Sequence, residues 1–133
     1  MPDDTEVDFD PDRVAQLSAY PGTFEWDIVG ESYYQAALER IVGGKTPEGH
    51  CFESKALLVP YVSKYDEDAV AVLMGESELV GHLPRHFALK FRSILQNIGL
   101  GGCSLLVPCK VVGGWKRGAG DEGYFGVKLD LPG

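Results

Sequence analysis

The run Ala69-Val70-Ala71-Val72-Leu73-Met74-Gly75-Glu76-Ser77-Glu78-Leu79-Val80-Gly81-His82-Leu83 decides the fold class. Its first six residues are uninterrupted apolar side chains, short for a helix and typical of a buried strand. Residues 78–83 form a second short strand. The link Gly75-Glu76-Ser77 is short and contains glycine, so the two strands read as a β-hairpin.

Toward the C-terminus, Pro84 suits the first turn of a helix. Phe87, Phe91, Ile94, Leu95 and Ile98 then recur on one helical stripe, which Gly99 ends; Arg85, Lys90, Arg92 and Gln96 point elsewhere. Residues 103–112 read as a long strand. Gly113-Gly114-Trp115 opens a glycine-rich loop that runs to Gly123. The last strand covers 124–131, with Phe125, Val127, Leu129 and Leu131 on one face.

Toward the N-terminus, residues 61–68 read as a polar turn and 56–59 as a strand broken at Pro60. Residues 45–53 read as an exposed loop. Ser32 is placed to cap a helix carrying Tyr34, Leu38, Ile41 and Val42, closed by Gly43-Gly44. Residues 24–29 form a half-buried strand that stops at Gly30. Pro11, Asp12 and residues 13–19 have room for one short helical turn before Pro21-Gly22. Short strands with glycine corners predict an α+β, mainly β fold: a small, partly closed SH3-like or OB-like β-barrel with two or three helices. The expected organisation is a single domain over 13–133, preceded by an acidic disordered tail over 1–12.

The chain has 133 residues, of which 44% are apolar, enough for a single core. Net charge is −8, but unevenly spread. Asp3, Asp4, Glu6, Asp8, Asp10 and Asp12 fall in the first twelve residues, and the remainder carries twelve basic against fourteen acidic groups, about −2. The body is thus near neutral, while the tail reads as a solvated extension, with competition against phosphate for a basic patch as the alternative. No apolar run is long enough to span a bilayer and no signal-peptide pattern opens the chain, so no membrane contact and a cytoplasmic location are expected. Three cysteines, Cys51, Cys103 and Cys109, lack paired spacing and read as free thiols.

Catalytic patterns are weak. Gly43-Gly44-Lys45-Thr46 lacks the first glycine of a phosphate loop. His50 and Cys51 are adjacent, which on a strand turns them to opposite faces. Pro84 lies between His82 and His86, so a two-histidine metal grip on one helix face is not expected. Asp66, Glu67 and Asp68 read as a solvated turn. The chain is expected to be no enzyme and to need no cofactor. Binding features are better: Tyr33, Tyr34, Tyr65, Asp66, His82 and Arg85 gather at strand ends, where aromatic faces can stack on bases and Arg or His can donate to phosphate.

Two separated motifs, Lys64-Tyr65-Asp66-Glu67-Asp68-Ala69-Val70-Ala71-Val72 and Leu79-Val80-Gly81-His82-Leu83-Pro84-Arg85-His86-Phe87-Ala88, resemble the HIRAN domain. Val29-Gly30-Glu31-Ser32-Tyr33-Tyr34 resembles that family's first-strand motif, and the likeness runs over about residues 26–98. The resemblance implies a small β-barrel module that captures a single-stranded DNA 3′ end, as in DNA repair or processing. It implies that Tyr65 stacks on a terminal base, that Asp66 accepts from the 3′-hydroxyl, that Tyr33 is a second stacking surface, and that His82 and Arg85 lie near phosphates. Ser63 and Lys64 stand where the family has Asn-Pro, and Asp68 replaces a family Asn. The site thereby loses amide donors and gains negative charge.

A single-stranded DNA end is therefore the expected partner, with a helicase or nuclease as a possible protein neighbour. The competing reading is a protein-interaction adaptor that binds a peptide in the barrel groove or at a strand edge. A nuclease using Asp66 and Asp68 with a metal is the least supported, because two-metal sites need more convergent carboxylates. Trp115, Lys116 and Arg117 could add a stacking and charged edge; packing of Trp115 on the barrel is the plainer expectation.

Overall fold

The structure, a computed structural model, describes residues 7, 9–62, 68–75 and 77–132. The deciding hairpin is present as β4 (Val70–Met74) and β5 (Glu78–His82). Its register shifts between Val72 and Leu73, so Val72 faces Gly81 while Leu73 faces Leu79. β3 (His50–Pro60) pairs with β4 on one side and with β6 (Ser104–Gly113) on the other. β9 (Phe125–Leu129) and the short β2 (Trp26–Asp27) extend the sheet beyond β6. The order is β2-β9-β6-β3-β4-β5, and β1 (Val14–Ala15) runs parallel to the start of β6.

The chain is mainly β, a curled half-barrel sheet with two α-helices among the described residues. Beyond β2, Val29 reaches the opposite end of the sheet and bridges His82. Val29 N–H donates to His82 O at 2.8 Å and His82 N–H donates to Val29 O at 2.9 Å. Gly81 permits this approach. A Cβ there would stand 2.7 Å from Val29 O and 2.8 Å from Ile28 Cδ1, closer than any side chain tolerates.

The inward faces supply the core: Val70, Val72 and Met74 from β4, Val107, Cys109 and Val111 from β6, and Phe125, Val127 and Leu129 from β9. This is the period of two that the last strand's sequence predicts, and Leu131 is buried with it. α1 (Gln35–Val42) buries Ala37 and Leu38 and ends at Gly43, whose φ of 91° suits glycine. α2 (Arg85–Asn97) starts behind Pro84 and buries Ala88, Phe91 and Leu95. Burying Phe91 and Leu95 contributes about 1.5–3 kcal/mol each. Ile98, expected on the buried stripe, is half exposed just past the helix end.

β4 is buried along its whole length because its outer face is also covered. Ala71 and Leu73 join Val59 in a second apolar cluster, against which Leu57, Tyr61, Leu79, Val7 and Phe9 pack. Part of the segment expected as a tail thus lies on the sheet. Asp10 accepts from Asp12 N–H and caps a 3-10 turn over Pro11–Arg13.

Several local expectations change. The short helical turn expected from Pro11 to Ala19 is present only as the 3-10 turn over Pro11–Arg13; β1 takes Val14 and Ala15 because β6 offers them an edge. Residues 50–53, expected in a loop, belong to β3, since β6 continues far enough to pair with them. Ser32 caps nothing: it sits inside a 3-10 turn over Glu31–Tyr33, and α1 begins after Tyr34. The glycine-rich stretch after Gly113 folds into a small hairpin of β7 (Lys116–Gly118) and β8 (Asp121–Glu122). The Trp115 ring fills the space beside Gly123 that a Cβ there would need. A buried carboxylate fixes the approach to β2: Asp130 accepts from the backbone N–H groups of Gly22 and Thr23 at 2.9–3.2 Å.

Candidate nucleic-acid interface

The link between β3 and β4 carries two of the five binding residues that the sequence leads one to expect. Tyr65 and Asp66, with Ser63, Lys64 and Glu67, lie outside the described residues. Both ends of the link are described. Tyr61 N–H donates to Ala69 O at 2.9 Å, closing its base. The Arg92 guanidinium reaches across from α2 to the same base. Its Nε donates to Asp68 O at 3.0 Å, and its Nη2 donates to Ala69 O at 2.9 Å and Tyr61 O at 3.3 Å. Three carbonyls that end a strand pair are satisfied by one planar donor array. Arg92 was expected to point away from the helix's buried stripe, and it does, onto this loop.

His82 ends β5 and does two things. Its backbone pairs with both Ala71 and Val29. Its side chain turns outward, and Nε2 meets Tyr61 Oη at 2.5 Å with the rings 5.7 Å apart. A neutral imidazole and a phenol supply one donor and one acceptor to this bond in either tautomer. The row that carries it crosses the outer face of the sheet, from Val29 through His82 and Ala71 to Val59, with Tyr61 two residues beyond Val59, just past the end of β3. Val29 is 47% exposed, and Val62, beside Tyr61, is 69% exposed.

Tyr33 stands four residues after Val29, in the 3-10 turn that lies against β5 and β9, and is 54% exposed. Gly30 starts that turn with φ 84°, and Tyr33 N–H donates to Gly30 O at 3.1 Å. Two side chains tie the turn and α1 to β9. Gln35 pairs with both backbone groups of Phe125, at 2.7 and 2.9 Å, as a neighbouring strand would. Glu31 accepts from Val127 N–H at 3.2 Å. Burial pushes the Glu31 carboxyl above the usual glutamate range, aided by nearby Asp27; the Val127 N–H and Lys128 pull the other way.

Arg85 is exposed at the first residue of α2, three residues past His82. Behind it His86 rests on Phe87, with ring centres 4.3 Å apart, and Phe87 stacks on buried Trp26 at 4.6 Å and 16°. Lys90 lies 5.8 Å from the Trp26 ring. On the far side of Arg92 an open groove of about 400 Å³ runs between α2 and the turn before β6, lined by Asp68, Arg92, Ser93, Gln96 and Gly102.

The structure therefore brings Tyr61, His82 and the base of the 63–67 loop together, with Tyr33 and Arg85 on the chain segments that lead to and from the bridge. Sequence reading missed Tyr61, which it placed in a turn. Leu57, Val59 and Tyr61 alternate, so the strand period extended past Pro60 would have put Tyr61 on the outer face. Trp115, Lys116 and Arg117 do not join this site. They lie by Thr46, beside the His50–Gly113 pair, and β3 separates them from Tyr61 by about 30 Å of strand. There Arg117 covers the Trp115 ring at 5.7 Å and donates to Pro47 O.

The three cysteines are free. Burial pushes the Cys109 thiol up to about 12, leaving it an inert core side chain. Among the described residues, no three His, Cys, Asp or Glu side chains converge as metal ligands would. No known family model, curated protein or solved structure matches this chain.

Proposed function

We propose that this chain is a non-enzymatic, HIRAN-like module on an SH3-like or OB-like barrel, and that it binds a single-stranded nucleic-acid end at the outer surface around the β3–β4 link. The observation that carries the reading is the Tyr61–His82 pair at the foot of the loop that holds Tyr65 and Asp66. Arg92 holds the two described ends of that link together, through the carbonyls of Tyr61, Asp68 and Ala69. Exposed Tyr33 offers a ring face to a base, and exposed Arg85 offers a donor to phosphate. One carboxylate among aromatic rings accepts from a terminal hydroxyl and repels a terminal phosphate, which is the selectivity the resemblance assigns to Asp66.

Fluorescence anisotropy with short single strands bearing a 3′-hydroxyl or a 3′-phosphate tests this. Tighter binding of the hydroxyl end, falling steeply with added salt, is the expected result. Equal affinity for both ends removes the role of Asp66. A strand that fails to bind at low salt, to the full chain and to a form lacking residues 1–12, leaves the peptide-adaptor reading in its place.

A further inference from the structure

One side of α2 carries a charge that no described carboxylate neutralises. Leu89, Arg92, Ser93 and Gln96 recur at i, i+3, i+4 and i+7, so they share that side of the helix. They line the groove of about 400 Å³ whose other wall is the turn at Gly101 and Gly102. The Arg92 guanidinium is half-buried and permanently charged. Its acceptors are all neutral carbonyls, and they engage Nε and Nη2. Nη1 keeps two N–H groups without an acceptor, and among the described residues no carboxylate pairs with the guanidinium. Other donors line the same groove. The Ser93 hydroxyl, the Gln96 amide and the backbone N–H groups of Gly101 and Gly102 hold no hydrogen bond among the described residues. Arg13 brings a second guanidinium to the rim, where its Nη2 donates to Gly101 O at 3.2 Å. Gly102 leaves room for it, since a Cβ there would stand 3.3 Å from that nitrogen. Against these two arginines, Asp68 is the one carboxylate among the residues that line the groove.

We propose that this groove binds a phosphate monoester, with the phosphate on Arg92 Nη1, Ser93 and Gln96 and the esterified group against Leu89 and Pro60. The inference is independent of the nucleic-acid reading above. A half-buried cation met only by neutral acceptors has given up hydration without gaining a counter-charge, and its hydrogen bonds to an oxyanion are about twice as strong as neutral ones. A phosphate monoester carries close to two negative charges and three terminal acceptor oxygens, which suits this crowd of unused donors. A carboxylate has one charge and fewer acceptor sites, and would leave donors unmet. Free phosphate would fill only part of the groove. Leu89, 45% exposed, and Pro60 extend the lining as an apolar wall beside the donors.

The test is an NMR titration of the full chain at constant ionic strength, following backbone amide shifts, with phenyl phosphate, inorganic phosphate and benzoate as probes. Phenyl phosphate should move the amides of Ser93, Gly101 and Gly102 saturably. Inorganic phosphate should move the same amides with lower affinity, and benzoate should bind about 10-fold more weakly than phenyl phosphate. Ser93→Glu places a carboxylate at an exposed helix position; it should abolish saturation while the melting curve stays near that of the parent. Lys116→Gln makes the same one-unit change in net charge on β7 and should leave the affinity unchanged. A 5′-phosphorylated oligonucleotide that moves these amides at lower concentration than phenyl phosphate, and than its 5′-hydroxyl form, assigns the ester to a strand end; no such gain assigns it to a small molecule. The absence of a saturable shift at the groove, benzoate binding as tightly as phenyl phosphate, or a Ser93→Glu protein that binds as the parent does would each overturn the proposal, and none of them bears on the 3′-end site around Tyr61 and His82.

Discussion

Replacing Gly81 by alanine would test how the sheet is closed. The new methyl carbon would lie 2.7 Å from the Val29 carbonyl oxygen and 2.8 Å from Ile28 Cδ1. Ile28 is buried, and Val29 holds the bridge to His82. The backbone oxygen cannot rotate away, so Val29 must move outward by several tenths of an ångström or more. Overpacking of this kind costs about 1–3 kcal/mol. Stretching the two bridge hydrogen bonds adds about 0.5–1.5 kcal/mol each if both are lost. The expected destabilisation is therefore about 2–6 kcal/mol. For a chain of this length 1 kcal/mol corresponds to about 4 °C, which puts the melting point down by about 8–24 °C. Gly126→Ala is the matched control. Its added carbon meets Val112 Cγ2 at 3.6 Å and Glu31 Oε2 at 3.7 Å, ordinary contacts, so the protein should melt within a few degrees of the parent. Thermal melts by circular dichroism, with urea titration as a second measure, separate the two. A Gly81→Ala protein that melts with the Gly126→Ala control would refute the account of the bridge as a tight, necessary closure.

Arg92→Met removes the donors to three carbonyls while keeping most of the side chain's bulk; a loss of about 2–4 kcal/mol and faster protease cleavage between residues 61 and 69 are expected, read by urea titration and mass spectrometry. Glu31 has its carboxyl value raised in the fold, so the folded state favours the proton. Stability of the parent should rise as pH falls from neutral through that raised value toward the ordinary glutamate range, and Glu31→Gln should abolish that rise in melts taken across the interval. At pH 8 a maleimide should modify exposed Cys51 in the native protein and leave Cys109 untouched until denaturant is added, as peptide mapping would show. His82→Ala should melt within about 1 kcal/mol of the parent, because the bridge uses its backbone, yet weaken strand binding in the anisotropy assay.

The hairpin, α2 and the last strand were legible because each keeps one period over many residues. Apolar side chains alternating from Phe125 to Leu131, or recurring at helical spacing from Phe87 through Phe91 and Ile94 to Leu95, admit one reading. What escaped were features set by contacts between distant segments. Residues 50–53 look like a loop until β6 is known to run alongside them. Ser32 looks like a cap until the bridge at Val29 forces Gly30 and the turn after it. Gly81 is visible as a glycine in a strand, but its reason, the carbonyl of Val29, is fifty residues away in the chain. At the site the same division holds. Tyr33, His82 and Arg85 stood out by residue type. Tyr61 and Arg92 act through geometry: one by where a strand period carries it, the other by reaching back across the fold to the loop base.

The bridge explains why the candidate residues gather where they do. In the body of the sheet each strand has a neighbour on both sides over several pairs, and its outer face is covered or crowded. At Val29–His82 the ladder shrinks to a single pair, and the chain on either side turns away at once: into a glycine turn before Tyr33 and through Pro84 into α2 before Arg85. Backbone groups are satisfied there while side chains remain open to solvent, which is what a binding surface needs and a continuous ladder denies. Closure at this pair is made by main-chain atoms, so it does not depend on the side chains of Tyr33, His82 and Arg85. Arg92 then ties the described ends of the β3–β4 link together from outside the sheet, through the carbonyls of Asp68, Ala69 and Tyr61.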